Sequence, residues 1–280
     1  MIELNNLEKK FDRFTAVDHL NLRIETGEFF GLLGPNGAGK TTTISMMSTL
    51  LLPTGGEIRI NGTPLTRKNT DLKQKISVVT QEFSMRQDMT IDEIMEYQGR
   101  LYFMPGKQIR EKSEELLRFC DLIDYRKRSV RKLSGGMKRK LMVCRALLTE
   151  PEILLLDEPT AGMDAMARRQ MWNLLKKLNQ RNLTILLTTH YMEEAESLCD
   201  RVGLMYGGKL EEVDTPARMI DALGHYAVDM TVDGELVSRF FREKEEAVRF
   251  LSGIAQDTVL RNSTLEDVFL ERVGKHLERR

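Results

Sequence analysis

Apolar residues recur along this chain with two periods, and the switches between them mark its parts. Ile2 and Leu4, then Leu20, Leu22 and Ile24, alternate with polar neighbours as half-buried strands do. Phe29-Phe30-Gly31-Leu32-Leu33 is a continuous apolar run of strand length that ends in a glycine-rich turn. The pattern predicts a helix from about Lys40 to Leu50, stopped by Pro53 and a Gly55-Gly56 turn, then strands at Glu57 to Asn61 and Ile76 to Thr80.

Residues 90–150 carry a helical period instead. Ile91, Ile94, Met95 and Leu101 mark one helix, Ile109, Leu116, Leu117 and Phe119 a second, and Leu141, Val143, Ala146 and Leu147 a third. A strand (Ile153 to Leu156), a helix (about Met166 to Asn179), a strand (Leu183 to Thr188) and a helix (Met192 to Leu198) follow. Buried strands each followed by a helix predict an α/β fold with a mainly parallel sheet, here with N-terminal antiparallel strands and a helical insertion. Residues 201–213, turning at Gly207-Gly208, read as a hairpin.

From Gly224 onward a small α+β extension is expected. Val228, Met230 and Val232 alternate, a helix covers about Glu245 to Leu251, and Thr258 to Leu260 is a short strand. Ser263 and Glu266 have capping-box spacing ahead of Leu265, Val268, Phe269 and Leu270. The predicted division is a main domain over 1–223, with a helical subdomain inserted at about 85–150, and an extension over 224–280.

Composition narrows the function. Lys plus Arg and Asp plus Glu both number 42 among 280 residues, so there is no surplus of cations for nucleic acid, and none is expected as a partner. Cys120, Cys144 and Cys199 form no CxxC pair, which argues against a zinc site or a disulfide framework and fits a reducing cytosol. The N-terminus has no basic stretch ahead of an apolar run, and runs such as Ile153 to Leu156 are too short to span a bilayer, so a role in membrane transport requires another chain.

Gly34-Pro35-Asn36-Gly37-Ala38-Gly39-Lys40-Thr41, continued by Thr42, fits GxxxxGK[ST] between a predicted strand and a predicted helix. Glycines let successive N–H groups curl toward a phosphate, and the helix N-terminus adds positive potential. Lys40 is placed to reach the β- and γ-phosphates and the Thr41 hydroxyl to bind Mg²⁺. In Ile153-Leu154-Leu155-Leu156-Asp157-Glu158 two carboxylates follow a buried strand, where ligands bind in open α/β sheets. Asp157 suits Mg²⁺ and Glu158 suits an attacking water.

Leu133-Ser134-Gly135-Gly136-Met137-Lys138 lies between these two sites and resembles the LSGGQ signature of the ABC ATPase family. The resemblance implies a P-loop NTPase core of the ABC ATPase type, in which Ser134, Gly135 and Gly136 close on the γ-phosphate held by a second subunit. It further implies that Gln81 contacts Mg²⁺ and water, that Ala161-Gly162-Met163-Asp164 runs along the dimer seam, and that His190 touches the γ-phosphate. Phe11 stands where the family stacks an aromatic on adenine, with Val17 beside it.

Met137 departs from the usual Gln, and its thioether cannot reproduce an amide's hydrogen bonds. GGM followed by basic residues, and the tail Thr264 to Leu270, are similar to the branch that drives exporters of drugs, lipids or polysaccharides. The expectation is an ATP- and Mg²⁺-dependent transporter ATPase, a homodimer or paired subunit on the inner face of the cell membrane. Its permease is expected to dock around Gln81 to Ile109, where Met85, Met89, Met95 and Met104 could line a contact surface but suit a core as well. The alternatives are a soluble ABC ATPase of translation or DNA repair, a regulatory subunit without turnover, and an importer ATPase.

Overall fold

The computed structural model describes residues 1–232, 234–253 and 258–277, with side chains through residue 272. The chain opens with an antiparallel hairpin, β1 (Ile2–Phe11) and β2 (Phe14–Ile24), then runs through β3 (Phe29–Leu33) into α1 (Lys40–Met47). It continues as β4 (Gly55–Ile60), β5 (Thr63–Pro64), α2 (Thr70–Gln74) and β6 (Ile76–Val79). Three helices follow: α3 (Ile91–Leu101), α4 (Gly106–Phe119) and α5 (Gly135–Leu147). Next come β7 (Ile153–Asp157), α6 (Ala165–Asn179), β8 (Thr184–Thr189), α7 (Met192–Leu198), the hairpin β9 (Arg201–Tyr206) and β10 (Lys209–Asp214), and α8 (Pro216–Leu223). The C-terminal part holds β11 (Tyr226–Val232), β12 (Glu235–Phe241), α9 (Lys244–Ser252), β13 (Thr258–Asn262) and α10 (Leu265–Leu277).

The central sheet has the order β10-β9-β3-β8-β7-β6 and is parallel throughout except for the β10-β9 pair. Its apolar strands are buried on both faces because each face meets a different core. Phe29, Leu33, Leu154, Leu156, Ile185 and Leu187 join the core built with the helices. Their neighbours Phe30, Leu32, Ile153, Leu155 and Leu186 join a second core with α1 and the antiparallel sheet β2-β1-β4-β5. Continuous apolar runs are what such a middle layer demands.

Register positions the site. Leu33 pairs with Thr189, and Asp157 pairs with Thr188, so β3, β7 and β8 end side by side. The loops that begin at Gly34, Glu158 and His190 therefore leave the sheet along one edge.

Several local expectations shift. α1 ends at Met47 rather than near Leu50, since Thr49 is in the left-handed region at φ 60. Gly55-Gly56 is not a turn but the start of β4. Gly56 has φ +72, and a Cβ there would meet the carbonyl oxygen of Asn6 at 2.2 Å, beside a register shift in the β1-β4 pair. The capping box of α10 falls one residue later than Ser263/Glu266. Thr264 N–H donates to Asp267 Oδ2 at 2.8 Å, while Leu265 and Val268 enter the main core. Leu101, expected on the buried face of α3, is 54% exposed. The short elements α2, β5 and α8 and the strand β12 had no expectation.

Met85 and Met95 are buried, and Met89 and Met104 pack against the same core, so these methionines fill space rather than form a contact surface. All three cysteines are buried and free. The three-stranded sheet β12-β11-β13 carries α9 on one side, and α10 returns to α7 and α8. Leu265 N–H donates to Glu196 Oε2 at 3.1 Å, and Arg261 bridges Asp229 and Asp267. The last three residues of the extension lie outside the described residues.

Candidate functional site

The N-terminus of α1 is left open. No side chain caps it, its first turn holds no acid, and the amides of Lys40, Thr41 and Thr42 have no acceptor within the helix. Gly39 makes the entry possible: its φ is +106, and a Cβ would meet the carbonyl oxygen of Ala16 at 2.3 Å. An uncapped N-terminus behind a glycine-rich loop suits a phosphate. Lys40 is only 4% exposed, and its Nζ donates to the carbonyls of Gly34 at 2.8 Å and Pro35 at 3.1 Å, across the loop.

The end of β7 meets this loop. Asp157 Oδ1 accepts from Thr41 Oγ1 at 3.1 Å and from Thr188 Oγ1 at 2.6 Å. Two hydroxyls and a carboxylate of two neighbouring strands and a helix are thus gathered at one point, where buried Asp157 and Thr188 meet exposed Thr41. Hard oxygen donors of this kind fit Mg²⁺, and the exposed amide of Gln81 stands next to them through Glu158.

Glu158 is the centre of the cluster. It is 8% exposed and its backbone is in the left-handed region at φ 45, a conformation that non-glycine residues hold only when their surroundings enforce it. Here its N–H donates to Thr188 O at 3.0 Å and lies 3.2 Å from Thr188 Oγ1. Oε2 accepts from Gln81 Nε2 at 3.3 Å and lies 3.1 Å from His190 Nδ1. Oε1 lies 3.9 Å from Lys40 Nζ. Burial pushes the Lys40 ammonium down, against the pull of Glu158 and Asp157. The carboxylate oxygen that neither Gln81 nor His190 engages is thus the one nearest the Lys40 ammonium.

Gly34 to Thr42, Asp157, Glu158, Gln81 and His190 are therefore brought together. Ser134, Gly135 and Gly136 belong to a different cavity, of about 450 Å³, shared with Ala161 to Asp164. Ser134 is the N-cap of α5, its Oγ accepting from Met137 N–H at 3.3 Å, and a Cβ on Gly136 would meet Ala167 Cβ at 3.3 Å. Phe11 is exposed at the tip of the β1-β2 hairpin, with Lys9 over its ring. Val17 is fully buried against the underside of Gly39 and belongs to the core.

Sequence reasoning passed over three residues that the structure places in or beside this cluster. Thr188 holds both acids, and its only signal was the hydroxyl pair ahead of His190. Arg139, partly buried and with its basicity lowered by that burial, donates to Thr80 O at 2.8 Å and ties the signature helix to the segment of Gln81. Glu194 is fully buried on α7, yet nothing in the sequence separates it from Glu193 and Glu196.

A family model described as ABC transporter matches residues 17–161. The chain is 36% identical to the Nod factor export ATP-binding protein I of Cupriavidus metallidurans, over 99% of this chain and 98% of that one. It is 34% identical to the daunorubicin resistance ATP-binding protein DrrA3 of Streptomyces coeruleorubidus, over 98% and 96%. With the linearmycin resistance ATP-binding protein LnrL of Bacillus subtilis it shares 36% identity over 84% of this chain and 76% of that one. Among solved structures it resembles the dimeric bacterial ABC transporter cassette MJ0796, with a TM-score of 0.69 and 28% identity over 77% of this chain and 98% of that chain. The same cassette in a post-hydrolysis state bound to ADP and Pi gives a TM-score of 0.68 at 29% identity, again over 77% and 98%.

Proposed function

This chain belongs to the ABC transporter family, and from that premise we propose that two copies close head to tail over two ATP molecules beneath the membrane-spanning permease of an exporter. It is an ATP-binding subunit that hydrolyses ATP and works with a separate membrane partner. Among the described residues no helix is long and apolar enough to cross a membrane. The export direction is supported by the relatives, named for Nod factor export and for daunorubicin and linearmycin resistance, in preference to an importer. Their single-cassette length, covered to 98% in the first, disfavours the reading as a factor of translation or DNA repair. We place the protein in the cytoplasm, peripheral on the inner face of the membrane, and take 1–223 as the ATPase domain, with the helical subdomain at about 85–150 and the extension at 224–280.

The observation that carries the mechanism is Glu158, gripped by Gln81 and His190 on one oxygen and 3.9 Å from Lys40 on the other. The Gly34 to Thr42 loop and the open end of α1 cradle the phosphates, and Lys40 neutralises the terminal ones. Thr41, Asp157 and Gln81 are the residues to hold Mg²⁺, which supplies charge neutralisation on the phosphates when bound. Oε1 of Glu158 accepts a hydrogen bond from the attacking water and orients or deprotonates it. His190 touches the γ-phosphate while bracing Oε2. Phe11 offers an exposed ring for adenine, with Val17 shaping the loop from below. Ser134, Gly135 and Gly136 meet the γ-phosphate held by the partner.

The permease contact is proposed along Gln81 to Ile109. Tyr97, Leu101, Tyr102 and Phe103 are exposed there, Phe103 at 95%. Beside them a cavity of about 300 Å³ brings Tyr102 and Gln98 of the helical segment against Lys73 and Arg145. Large apolar side chains rimmed by cations suit an amphipathic helix from a membrane protein.

Substituting Glu158→Gln tests the site. The amide keeps the shape but cannot take a proton, so ATP should still bind while turnover falls by roughly a hundredfold or more. Since hydrolysis reopens the dimer, the variant should accumulate as an ATP-bound dimer on size exclusion. Turnover like the unsubstituted chain's would remove Glu158 from its role.

A further inference from the structure

Glu194 is buried to 0% exposure in the first turn of α7, and the ATPase mechanism above makes no use of it. Its Oε1 accepts two hydrogen bonds, from Thr160 Oγ1 at 2.8 Å and from the indole of Trp172 at 2.9 Å. Its Oε2 is buried with no hydrogen-bond partner. Burial pushes this carboxyl up, opposed by the hydroxyls of Thr189 and Thr160 and by the Trp172 indole. Arg168 lies over the rings of both Trp172 and Tyr191, closing the cluster from outside. Burying a half-satisfied carboxyl is costly, and an apolar side chain would fill the space with less penalty.

The cluster sits between two loops that matter. Thr160 is two residues beyond Glu158, and Glu194 is one helical turn beyond His190. The strands that launch these loops are neighbours, with Asp157 beside Thr188. The loops are thus cross-linked twice, by Glu158 with His190 at 3.1 Å and by Thr160 with Glu194 at 2.8 Å. Thr160 also leads into Ala161 to Asp164, which forms one wall of the cavity that contains Ser134 to Gly136.

We propose that Glu194 is a positioning residue for hydrolysis: by holding Thr160 and Trp172 it locks the loop after Glu158 to the helix after His190. The lock sets the separation of Glu158 and His190, and it carries any movement of the signature-cavity wall to them. It rests on the reading of Glu158 as the water-directing group.

Three variants test it in steady-state ATPase assays on the full chain. Glu194→Leu keeps bulk but removes the acceptor, Thr160→Val removes one donor at nearly constant shape, and Glu194→Gln keeps Oε1 as acceptor. Glu194→Leu and Thr160→Val should each lower kcat roughly tenfold or more while the KM for ATP moves by less than about threefold. Glu194→Gln should restore kcat to within about threefold of the unsubstituted chain. If Glu194→Leu does not fold, Thr160→Val decides. An unchanged kcat in Thr160→Val overturns the lock, and so does a KM that rises as much as kcat falls, since that is general damage to the site. An unsubstituted chain without any ATPase activity would instead overturn the reading beneath it.

Discussion

Burial and two carboxylates pull Lys40 in opposite directions, and the balance explains what it can do. Its ammonium lies across the Gly34 to Thr42 loop on two backbone carbonyls, and Glu158 stands 3.9 Å away. Phosphates offer charged acceptors in place of neutral ones, and charge-assisted bonds are the stronger kind. Lys40→Ala should therefore weaken nucleotide binding by roughly tenfold or more, as well as activity, in a fluorescence titration. An affinity that does not change would move the phosphate site away from this loop. Glu158 is held differently, by a left-handed backbone that Thr188 pins from both its carbonyl and its hydroxyl. The side chain proposed to direct water is thus aimed by its main chain, before Gln81 and His190 touch it.

Among the elements, the clearest energetic claim concerns the junction of β11, β13 and α10. Arg261 donates to both oxygens of Asp229 and of Asp267, and these bonds, Asp267 first, raise the basicity of its guanidinium. Burial alone would raise the carboxyl of Asp267, but Arg261 and Thr264 outweigh it and hold it below the ordinary Asp value of 3.8. Asp229 is lowered in the same way, burial being outweighed by Arg261 and Ser238. A carboxyl depressed on folding stabilises above its unfolded pKa and loses that contribution as the pH falls through its folded value. Arg261→Ala should cost about 1–3 kcal/mol near pH 7, the bridge being partly exposed. The difference from the unsubstituted chain should shrink below pH 3.8, where the acids take up protons. Urea denaturation across pH 7 to 3 measures both, and a difference that grows with acid would contradict the assignment. Two elements began where tertiary contacts put them: β4 at Gly55, with Gly56 next to it as the residue whose lack of a Cβ lets the strand lie against Asn6 O, and α10 after Thr264, because Leu265 and Val268 had to reach the core.

At the scale of the whole molecule, the phosphate loop and the signature lie in separate places within one chain. Ser134 caps its own helix and lines a cavity with Ala161 to Asp164, while Lys40 and Glu158 meet elsewhere. On the head-to-tail reading proposed above, one chain presents two half-sites and a second copy supplies each complement. Ser134→Arg chains should still bind ATP but turn it over poorly, and Lys40→Ala chains, whose nucleotide binding is weakened, should also turn it over poorly. Mixed, the two yield heterodimers with one doubly damaged site and one built from intact Lys40 and Ser134. Measurable ATPase activity should return, and specific activity should rise with protein concentration where the dimer is weak. Mixed dimers that form without regaining activity would show that the sites require each other, and full activity of Ser134→Arg alone would end the head-to-tail arrangement.

Although α2, β5, α8 and β12 were not legible in sequence alone, the main alternation of strands and helices, the glycine-rich loop with its Lys and Thr, the acidic pair after β7 and the signature-like segment were. Each is coded by residues close in the chain: an apolar run of strand length, glycines at a helix start, a fixed spacing of Gly, Lys and Thr. The resemblance carried by Leu133 to Lys138 extended that reading to Gln81 and His190, which are lone residues without it. Tertiary structure alone decided the rest. The register that ends β3, β7 and β8 together gathers Asp157, Glu158 and His190 at one edge. Which acid of α7 is buried was equally beyond the sequence, since Glu193, Glu194 and Glu196 look alike as residues. Only packing of α7 against α6 and the loop after β7 puts Glu194 inside, bonded to Thr160 and Trp172. Burial of a polar group depends on what lies across from it in space, and that information is spread over segments 22 residues apart or more.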